Sequence, residues 1–279
     1  MKCNSLVSPV LKWVGGKRQL LDAIRPLLPE TIEYYCEPFI GGGAVLFDLQ
    51  PKHAVINDIN SELIGVYNAI KYHIDELIER LEQFENTSEC FYEVRSWDRS
   101  REVYDTLTDI DKAARVIFLN KTCYNGLYRV NSAGEFNTPF GRYKKPNIVN
   151  ADILRAVHDY FNTADVTITN GTYQDALQNL PENSFVYLDP PYDPISVTAS
   201  FTGYNAGGFS REDQIALRDC CVDLDRRGIK FMLSNSATEF IKEIYDDFHI
   251  DIVPAKRAIN SVGSKRGAVD EVIVRNYGR

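Results

Sequence analysis

The sequence predicts an α/β fold, a doubly wound parallel sheet interrupted by an inserted, mostly helical domain. Three observations lead there. Short apolar runs of strand length alternate with helix-period segments at both ends of the chain. Two of the strands run directly into turn residues, Pro38-Phe39-Ile40-Gly41-Gly42-Gly43 and Asp189-Pro190-Pro191-Tyr192. Between them the period becomes helical and then disappears, over roughly residues 61–150.

Each element follows from its own pattern. Glu33–Glu37 (EYYCE) is short and aromatic-rich and reads as a buried strand. It enters the glycine turn, after which Ala44–Leu49 reads as helix. Ala54–Asn57 (AVIN) is a second strand, ending at Asp58. Ser61–Phe84 carries Leu63, Ile64, Tyr67, Ile70, Ile74, Leu77, Ile78 and Leu81 at helical spacing, and helix-like sequence continues through Asp109–Asn120. Cys123–Tyr143 is rich in Gly, Asn and aromatic residues and has no helical period. The alternation then resumes. Val166–Thr169 and Ser184–Leu188 (SFVYL) read as strands, Arg211–Arg226 as helix, Lys230–Leu233 as strand and Thr238–Tyr245 as helix. His249–Val253 and Glu271–Val274 read as closing strands. The expected division is therefore residues 1–60 with 151–279 as the α/β domain, and 61–150 as the insertion.

Composition narrows the class. The chain has 279 residues, 44% hydrophobic and 25% charged, which suits a globular protein and excludes a disordered or fibrous one. No run approaches the roughly 20 apolar residues that span a bilayer, and the first residues lack a signal-peptide h-region. No membrane association is expected. The cysteines at 3, 36, 90, 123, 220 and 221 form no Cys-x-x-Cys, and the histidines at 53, 73, 158 and 249 form no cluster. That disfavours a disulfide scaffold and a metal site and suits a reducing cytoplasm. The net charge is −8, yet residues 112–145 hold seven basic residues and one acid. That window is +6 and leaves −14 for the remainder, so a basic island could steer a polyanion to one face.

Three constellations carry chemistry. In the first, adjacent glycines after a strand let a ligand approach the backbone and leave N–H groups exposed at a helix start. Asp58 ends the next strand 21 positions after Glu37, where a carboxylate suits a ribose hydroxyl. No Gly-x-x-x-x-Gly-Lys-Ser/Thr is present, so a P-loop phosphotransferase is disfavoured. In the second, two prolines cannot continue a strand ladder. They present a carboxylate (Asp189), a carbonyl and an aromatic ring (Tyr192) at a strand's carboxyl end, where ligands bind in open α/β sheets. The third is Leu11–Lys17 (LKWVGGK), with a Trp for stacking, two glycines and two lysines.

LKWVGGK, EPFIGGG, VINDIN and DPPY, in this order, resemble the Dam-type adenine-specific DNA methyltransferases, the D12 class. Tyr124–Arg129 (YNGLYR) and Gly134–Pro146 (GEFNTPFGRYKKP) are similar to the DNA-reading region of those enzymes. Lys121-Thr122-Cys123 departs from the family pattern. The resemblance runs from Leu11 to about Tyr277. It implies a Rossmann-like methyltransferase sheet, with residues 1–60 and 151–279 as the S-adenosylmethionine-dependent catalytic domain and 61–150 as the target recognition domain.

The implied reaction is methyl transfer from S-adenosyl-L-methionine to adenine N6 in double-stranded DNA, within GATC, by base flipping and direct in-line transfer. Asp189, Pro190, Pro191 and Tyr192 are the implied catalytic residues. Trp13, Lys17, Glu37, Phe39, Gly41, Gly43, Asp58 and Asp189 are the implied cofactor set. Lys17 would pair with the methionine carboxylate, and Asp58 would hold the ribose hydroxyls. Lys12, Tyr124, Asn125, Leu127 and Arg129 match base-contacting or intercalating positions, and Arg142, Lys144 and Lys145 read as phosphate contacts. No metal and a monomeric, cytoplasmic protein are expected. Alternatives are the same chemistry on another DNA or RNA sequence, or a non-catalytic DNA-binding protein on a degenerate methyltransferase fold.

Overall fold

A computed structural model describes residues 3–194, 208–256 and 268–278. In chain order the elements are α1 (Leu21–Ile24), β1 (Tyr34–Glu37), α2 (Ala44–Leu49), β2 (His53–Asp58), α3 (Ser61–Tyr72), α4 (Ile74–Glu82), α5 (Ser88–Ser96), α6 (Arg101–Thr106), α7 (Asp109–Thr122), α8 (Ala151–Thr163), β3 (Asp165–Asn170), α9 (Tyr173–Leu177), β4 (Ser184–Leu188), α10 (Arg211–Arg226), β5 (Lys230–Ser236), α11 (Glu239–Ile244), β6 (His249–Lys256) and β7 (Ala268–Arg275). No helix among the described residues is long and apolar enough to cross a membrane.

The strands form one seven-stranded sheet in the order β3-β2-β1-β4-β5-β7-β6. β1 pairs in parallel with β2 and with β4, and β4 in parallel with β5. β7 runs antiparallel to both β5 and β6. The mixed α/β sheet is as expected, but the expectation of a parallel sheet is corrected for these last strands. An apolar run such as Glu271–Val274 specifies burial and not direction.

The chain divides into two compact units. The first comprises Met1–Gly16, Ile40–Gln50 and Asn57–Gly171. In it α3 packs against α7 and α8. Phe47, Tyr67 and Phe161 meet with ring centroids 5.9–6.3 Å apart. Helix starts are capped as the sequence allows: the Asn60 side chain accepts from Leu63 N at the head of α3, and Thr108 and Asp111 form a capping box on α7. The single helical period expected over Ser61–Phe84 is two helices, broken at His73 (φ −139°, ψ 45°). The break is silent in the pattern because Ile70, Ile74 and Leu77 keep one buried face across it.

The second unit comprises Lys17–Phe39, Pro51–Ile56 and Thr172–Arg279. Its core joins Cys36, Val186, Leu188, Phe231, Leu233, Val272 and Val274 of the strands to Leu217, Cys221 and Leu224 of α10. At about 25 cal/mol per Å² of apolar area removed from water, each such side chain contributes about 1.5–3 kcal/mol.

Candidate active site

In the second unit β4 is buried at all five positions, lying between parallel partners β1 and β5. A strand covered on both faces reads as a continuous apolar run, which is what SFVYL is. It delivers Asp189 at its carboxyl end, and Pro190-Pro191 ends the ladder.

The Lys17 ammonium lies 2.7 Å from Asp189 Oδ1, with only 6% of the lysine side chain and 19% of the aspartate exposed. The same ammonium sits 4.5 Å from the centre of the Tyr192 ring. Tyr192 donates its hydroxyl to Glu271 Oε2 at 2.7 Å. Burial pushes the Asp189 carboxyl up to about 6; Lys17 pulls against that rise and Glu271 adds to it. Burial first, then the charges of Asp189 and Glu271, drives the Tyr192 phenol well above its ordinary value, so it remains a neutral donor.

The far end of the same tetrapeptide is fastened by buried polar groups. Gln214 Nε2 donates to the Pro191 carbonyl at 2.8 Å, and Asn235 Nδ2 donates to Gln214 Oε1 at 3.0 Å. Asn235 Oδ1 accepts from Asp193 N at 3.0 Å, and Ser236 Oγ donates to Asp193 O at 2.6 Å. The Asp193 carboxylate takes Thr238 Oγ1 at 2.8 Å and Arg211 Nε at 3.3 Å. Gln214, Asn235 and Ser236 are at most 1% exposed. A satisfied network of this kind holds one backbone geometry, because each buried donor left unmade costs about 1–3 kcal/mol.

Two residues expected at the cofactor lie in this unit with other partners. Glu37 is buried and accepts from the Tyr35 hydroxyl at 2.7 Å. Phe39 packs against Tyr173 and Phe209, at 5.2 and 6.1 Å between centroids.

The first unit holds the glycine turn. Gly41 (φ +46°) and Gly43 (φ +68°) occupy left-handed backbone, which glycine adopts at no steric cost. Gly41 N–H donates to Asp58 Oδ2 at 3.1 Å, and its carbonyl accepts from the Tyr67 hydroxyl at 2.7 Å. Asp58 Oδ1 accepts from Asn60 N at 3.0 Å. Burial raises the Asp58 carboxyl, and the backbone N–H groups of Asn60, Gly41 and Ile59 oppose that rise. Trp13 covers the turn: a Cβ on Gly41 would lie 3.1 Å from its Cδ1, and one on Gly42 3.2 Å from its Cβ.

The YNGLYR segment lies in the same unit. Tyr124–Gly126 make one 3-10 turn with Asn125 at φ +58°. Tyr124 N donates to Pro139 O at 2.8 Å, Asn137 N to Arg129 O at 2.9 Å, and Asn131 N to Glu135 O at 2.8 Å. The stretch without a helical period is thus a closed loop pair turning at Asn131–Gly134. Thr138 Oγ1 donates to Leu127 O at 2.6 Å, and Asn125 N donates to the Tyr143 hydroxyl at 2.9 Å. Arg129 Nε donates to Asn137 Oδ1 at 2.7 Å, which aims an exposed guanidinium. Lys12, Tyr124, Asn125, Arg142, Lys144 and Lys145 are exposed, and Leu127 is half-buried.

The basic island is smaller at the surface than the sequence suggests. Arg115 is fully buried, 2.5 Å from Asp98 and 3.5 Å from Glu62. Lys121 donates to Val10 O at 2.5 Å. Both belong to the expected basic island, and both are tied to the protein's own groups instead.

Sequence reading brought Lys17, Asp189 and Tyr192 forward separately, without pairing them. It passed over Glu271, Gln214, Asn235 and Asp193. One signal existed: Gln214 is a polar residue in line with Leu217, Cys221 and Leu224 on the buried stripe of α10.

The sheet, the glycine turn with an acidic strand end, and the fastened Asp-Pro-Pro-Tyr define a Rossmann-like methyltransferase. The family described as D12 class N6 adenine-specific DNA methyltransferase matches residues 13–259. A Type II methyltransferase, M1.LlaDCHI, from Lactococcus lactis subsp. cremoris is 45% identical over 97% of this chain and 95% of its own. The Type II methyltransferase M.MjaIII of Methanocaldococcus jannaschii is 42% identical over 97% and 99%. The DNA adenine methylase of Escherichia coli K12 is 35% identical over 94% and 93%. The chain belongs to the D12 class of N6 adenine-specific DNA methyltransferases and is a site-specific enzyme of that activity.

Proposed function

We propose that the chain transfers a methyl group from S-adenosylmethionine to adenine N6 within GATC in double-stranded DNA, after extruding the base. The observation that carries this reading is the Asp189 carboxylate set at the end of β4, paired with Lys17 and followed by a proline-fixed, fastened backbone.

The residues fit the cofactor. The glycine turn supplies close-approach backbone, Asp58 a half-buried carboxylate with a lone pair beyond its backbone bonds, and Trp13 an aromatic face. When bound, S-adenosylmethionine supplies an electrophilic methyl on sulfonium. Trp13, Gly41, Gly43 and Asp58 would hold its nucleoside and backbone-facing parts, with Lys17, Glu37 and Phe39 completing the set.

The chain's own residues then act on the acceptor. The adenine N6 lone pair is delocalised into the ring and is a weak nucleophile. Asp189 and the Pro190 carbonyl both accept from the N6 amino group, which favours a pyramidal nitrogen with its lone pair outside the ring plane. Lys17 keeps Asp189 ionised near neutrality despite burial, 2.7 Å from Oδ1; a carboxylate has about four lone-pair sites, so N6 need not displace it. Tyr192, fixed by Glu271, stacks on the extruded base. This is alignment and electrostatic preorganisation, without a covalent enzyme intermediate.

For the target, residues 61–150 serve recognition and residues 1–60 and 151–279 serve cofactor binding and chemistry. Arg129 reads guanine through O6 and N7. Tyr124 and Leu127 fill the gap left in the stack. Lys12 and Asn125 contact bases, and Arg142, Lys144 and Lys145 contact phosphates. The similarity of YNGLYR and GEFNTPFGRYKK to the reading region of Dam-type enzymes supports GATC. A cytoplasmic monomer is the proposed setting.

The test uses purified protein, methyl-labelled S-adenosylmethionine and short duplexes. Label should enter a GATC duplex and not one whose target adenines already carry N6-methyl. Equal labelling of a duplex lacking GATC would refute the target, and labelling of cytosine would refute the chemistry.

A further inference from the structure

The segment that covers the glycine turn and the segment that reads DNA are joined by two ties inside the first unit. One is aromatic. Trp13 stacks on Tyr128 with centroids 4.8 Å apart and planes 24° from parallel. Tyr128 directly precedes Arg129, is 4% exposed, and donates its hydroxyl to Glu62. Glu62 also accepts from the Tyr104 hydroxyl and lies 3.5 Å from the buried Arg115. The second tie is a side-chain amide. Asn120, 2% exposed, accepts from Lys12 N at 2.9 Å and donates to Lys12 O at 2.9 Å and to Gly126 O at 3.2 Å.

These contacts leave Trp13 little freedom. On one side lies the glycine turn, where even a Cβ would come within 3.1 Å of the indole. On the other lies a tyrosine whose hydroxyl is fixed to the half-buried Glu62 carboxylate. The indole therefore bridges the glycine turn and Tyr128, whose backbone continues directly into Arg129.

We propose that Asn120 and Tyr128 are positioning residues that couple occupancy of the cofactor site to guanine reading by Arg129. This rests on the reading of Trp13 as a cofactor contact and Arg129 as a base contact. Coupling between two binding sites is reciprocal and commonly amounts to about 5–150-fold in affinity. Contiguity alone does not establish it, so the test measures the coupling itself.

The affinity for S-adenosylhomocysteine is measured by calorimetry on the full chain, alone, with a GATC duplex, and with a duplex whose guanine is replaced. The parent should bind the cofactor product at least fivefold tighter with the GATC duplex, and no tighter with the altered one. Tyr128→Leu removes the stack. Asn120→Asp keeps the acceptor for Lys12 N and removes both donated bonds. Each should bring the ratio to within twofold of one while each ligand still binds alone. Glu62→Gln keeps an acceptor for the hydroxyl and should retain most of the ratio.

If the variants melt lower and weaken both ligands yet keep the parent's ratio, the residues are merely structural and the proposal is overturned. A parent ratio of one overturns it as well. Should Tyr128→Leu fail to fold, Tyr128→Phe keeps the stack and loses only the Glu62 bond; its ratio should fall between those of parent and Asn120→Asp, and parental ratios in both overturn the coupling. A parent that binds neither ligand refutes the functional reading instead, which separates the two failures.

Discussion

Replacing Lys17 with methionine removes the cation beside Asp189 while keeping a flexible apolar stem of similar length. In the parent the Asp189 carboxyl stands at about 6, raised by burial and restrained by the ammonium 2.7 Å away. A nearby opposite charge lowers a carboxyl by about 1–3 units, so its loss should carry Asp189 to about 7–9. Accepting from N6 requires the ionised form. At pH 7 the ionised share then falls from about nine-tenths to between a half and a hundredth, a rate loss of about 2- to 90-fold from ionisation alone. The direction is fixed: the acidic limb of kcat/KM moves toward alkaline pH, and activity returns as pH rises past the new value. Lys17 is also expected at the cofactor, but loss of a cofactor contact lowers the whole profile without moving its limb. The assay is the initial rate of methyl incorporation from pH 5 to 10. A limb that stays near 6, or moves to lower pH, would refute the argument that Lys17 keeps Asp189 charged.

Asp189→Asn should reduce methyl transfer by on the order of 10²–10³-fold, measured in single turnover. Its stability carries a second signature. A folded carboxyl at about 6, above its ordinary 3.8, favours the protonated native state, so the parent loses stability as pH rises from 4 through 6. The stability difference between Asp189→Asn and parent should therefore move by about 2 kcal/mol in favour of the asparagine between pH 4 and 7, read by urea unfolding; no movement would place Asp189 in ordinary solvent. Arg129→Ala should lose about 1–3 kcal/mol of discrimination at one guanine with little change on unrelated DNA, whereas Lys144→Ala should weaken all duplexes and reduce the salt slope by about one. Titrations at several salt concentrations separate the two, and reversed outcomes would reverse the roles. Gly41→Ala places a Cβ 3.1 Å from Trp13 on φ +46° backbone; it should destabilise by about 1–2 kcal/mol and weaken cofactor binding, and parental values for both would show that the turn needs no glycine. Direct transfer asks nothing of a cation, so turnover should survive EDTA; loss restored by Mg²⁺ would contradict the proposed mechanism.

What the sequence discloses follows where the information is stored. β4 and α10 were legible to their residue limits, because SFVYL is a buried run with a proline stop and Arg211–Arg226 keeps one apolar stripe behind Ser210 as cap. The glycine turn and Asp-Pro-Pro-Tyr were legible because their chemistry is contiguous. The Lys17–Asp189 pair joins residues 172 positions apart, and no local period encodes that contact. The sequence reading places no element over Ala151–Thr163, although Leu154, Val157 and Phe161 bury one face of the helix there. Arg115 looked like surface charge because burial of a cation depends on Asp98 and Glu62 arriving from other helices. Asn235 falls beyond the expected strand Lys230–Leu233, and nothing local to it announces Gln214 and Asp193 as its partners.

The most direct measurement of the central claim is sequencing of DNA from a host without endogenous methylation, expressing the parent or Asp189→Asn at equal levels. N6-methyladenine at GATC throughout the parent's DNA, and at least a hundredfold slower accumulation with the variant, is the expected result. Methylation on cytosine, methylated adenines without a GATC context, or equal accumulation with Asp189→Asn would contradict the account.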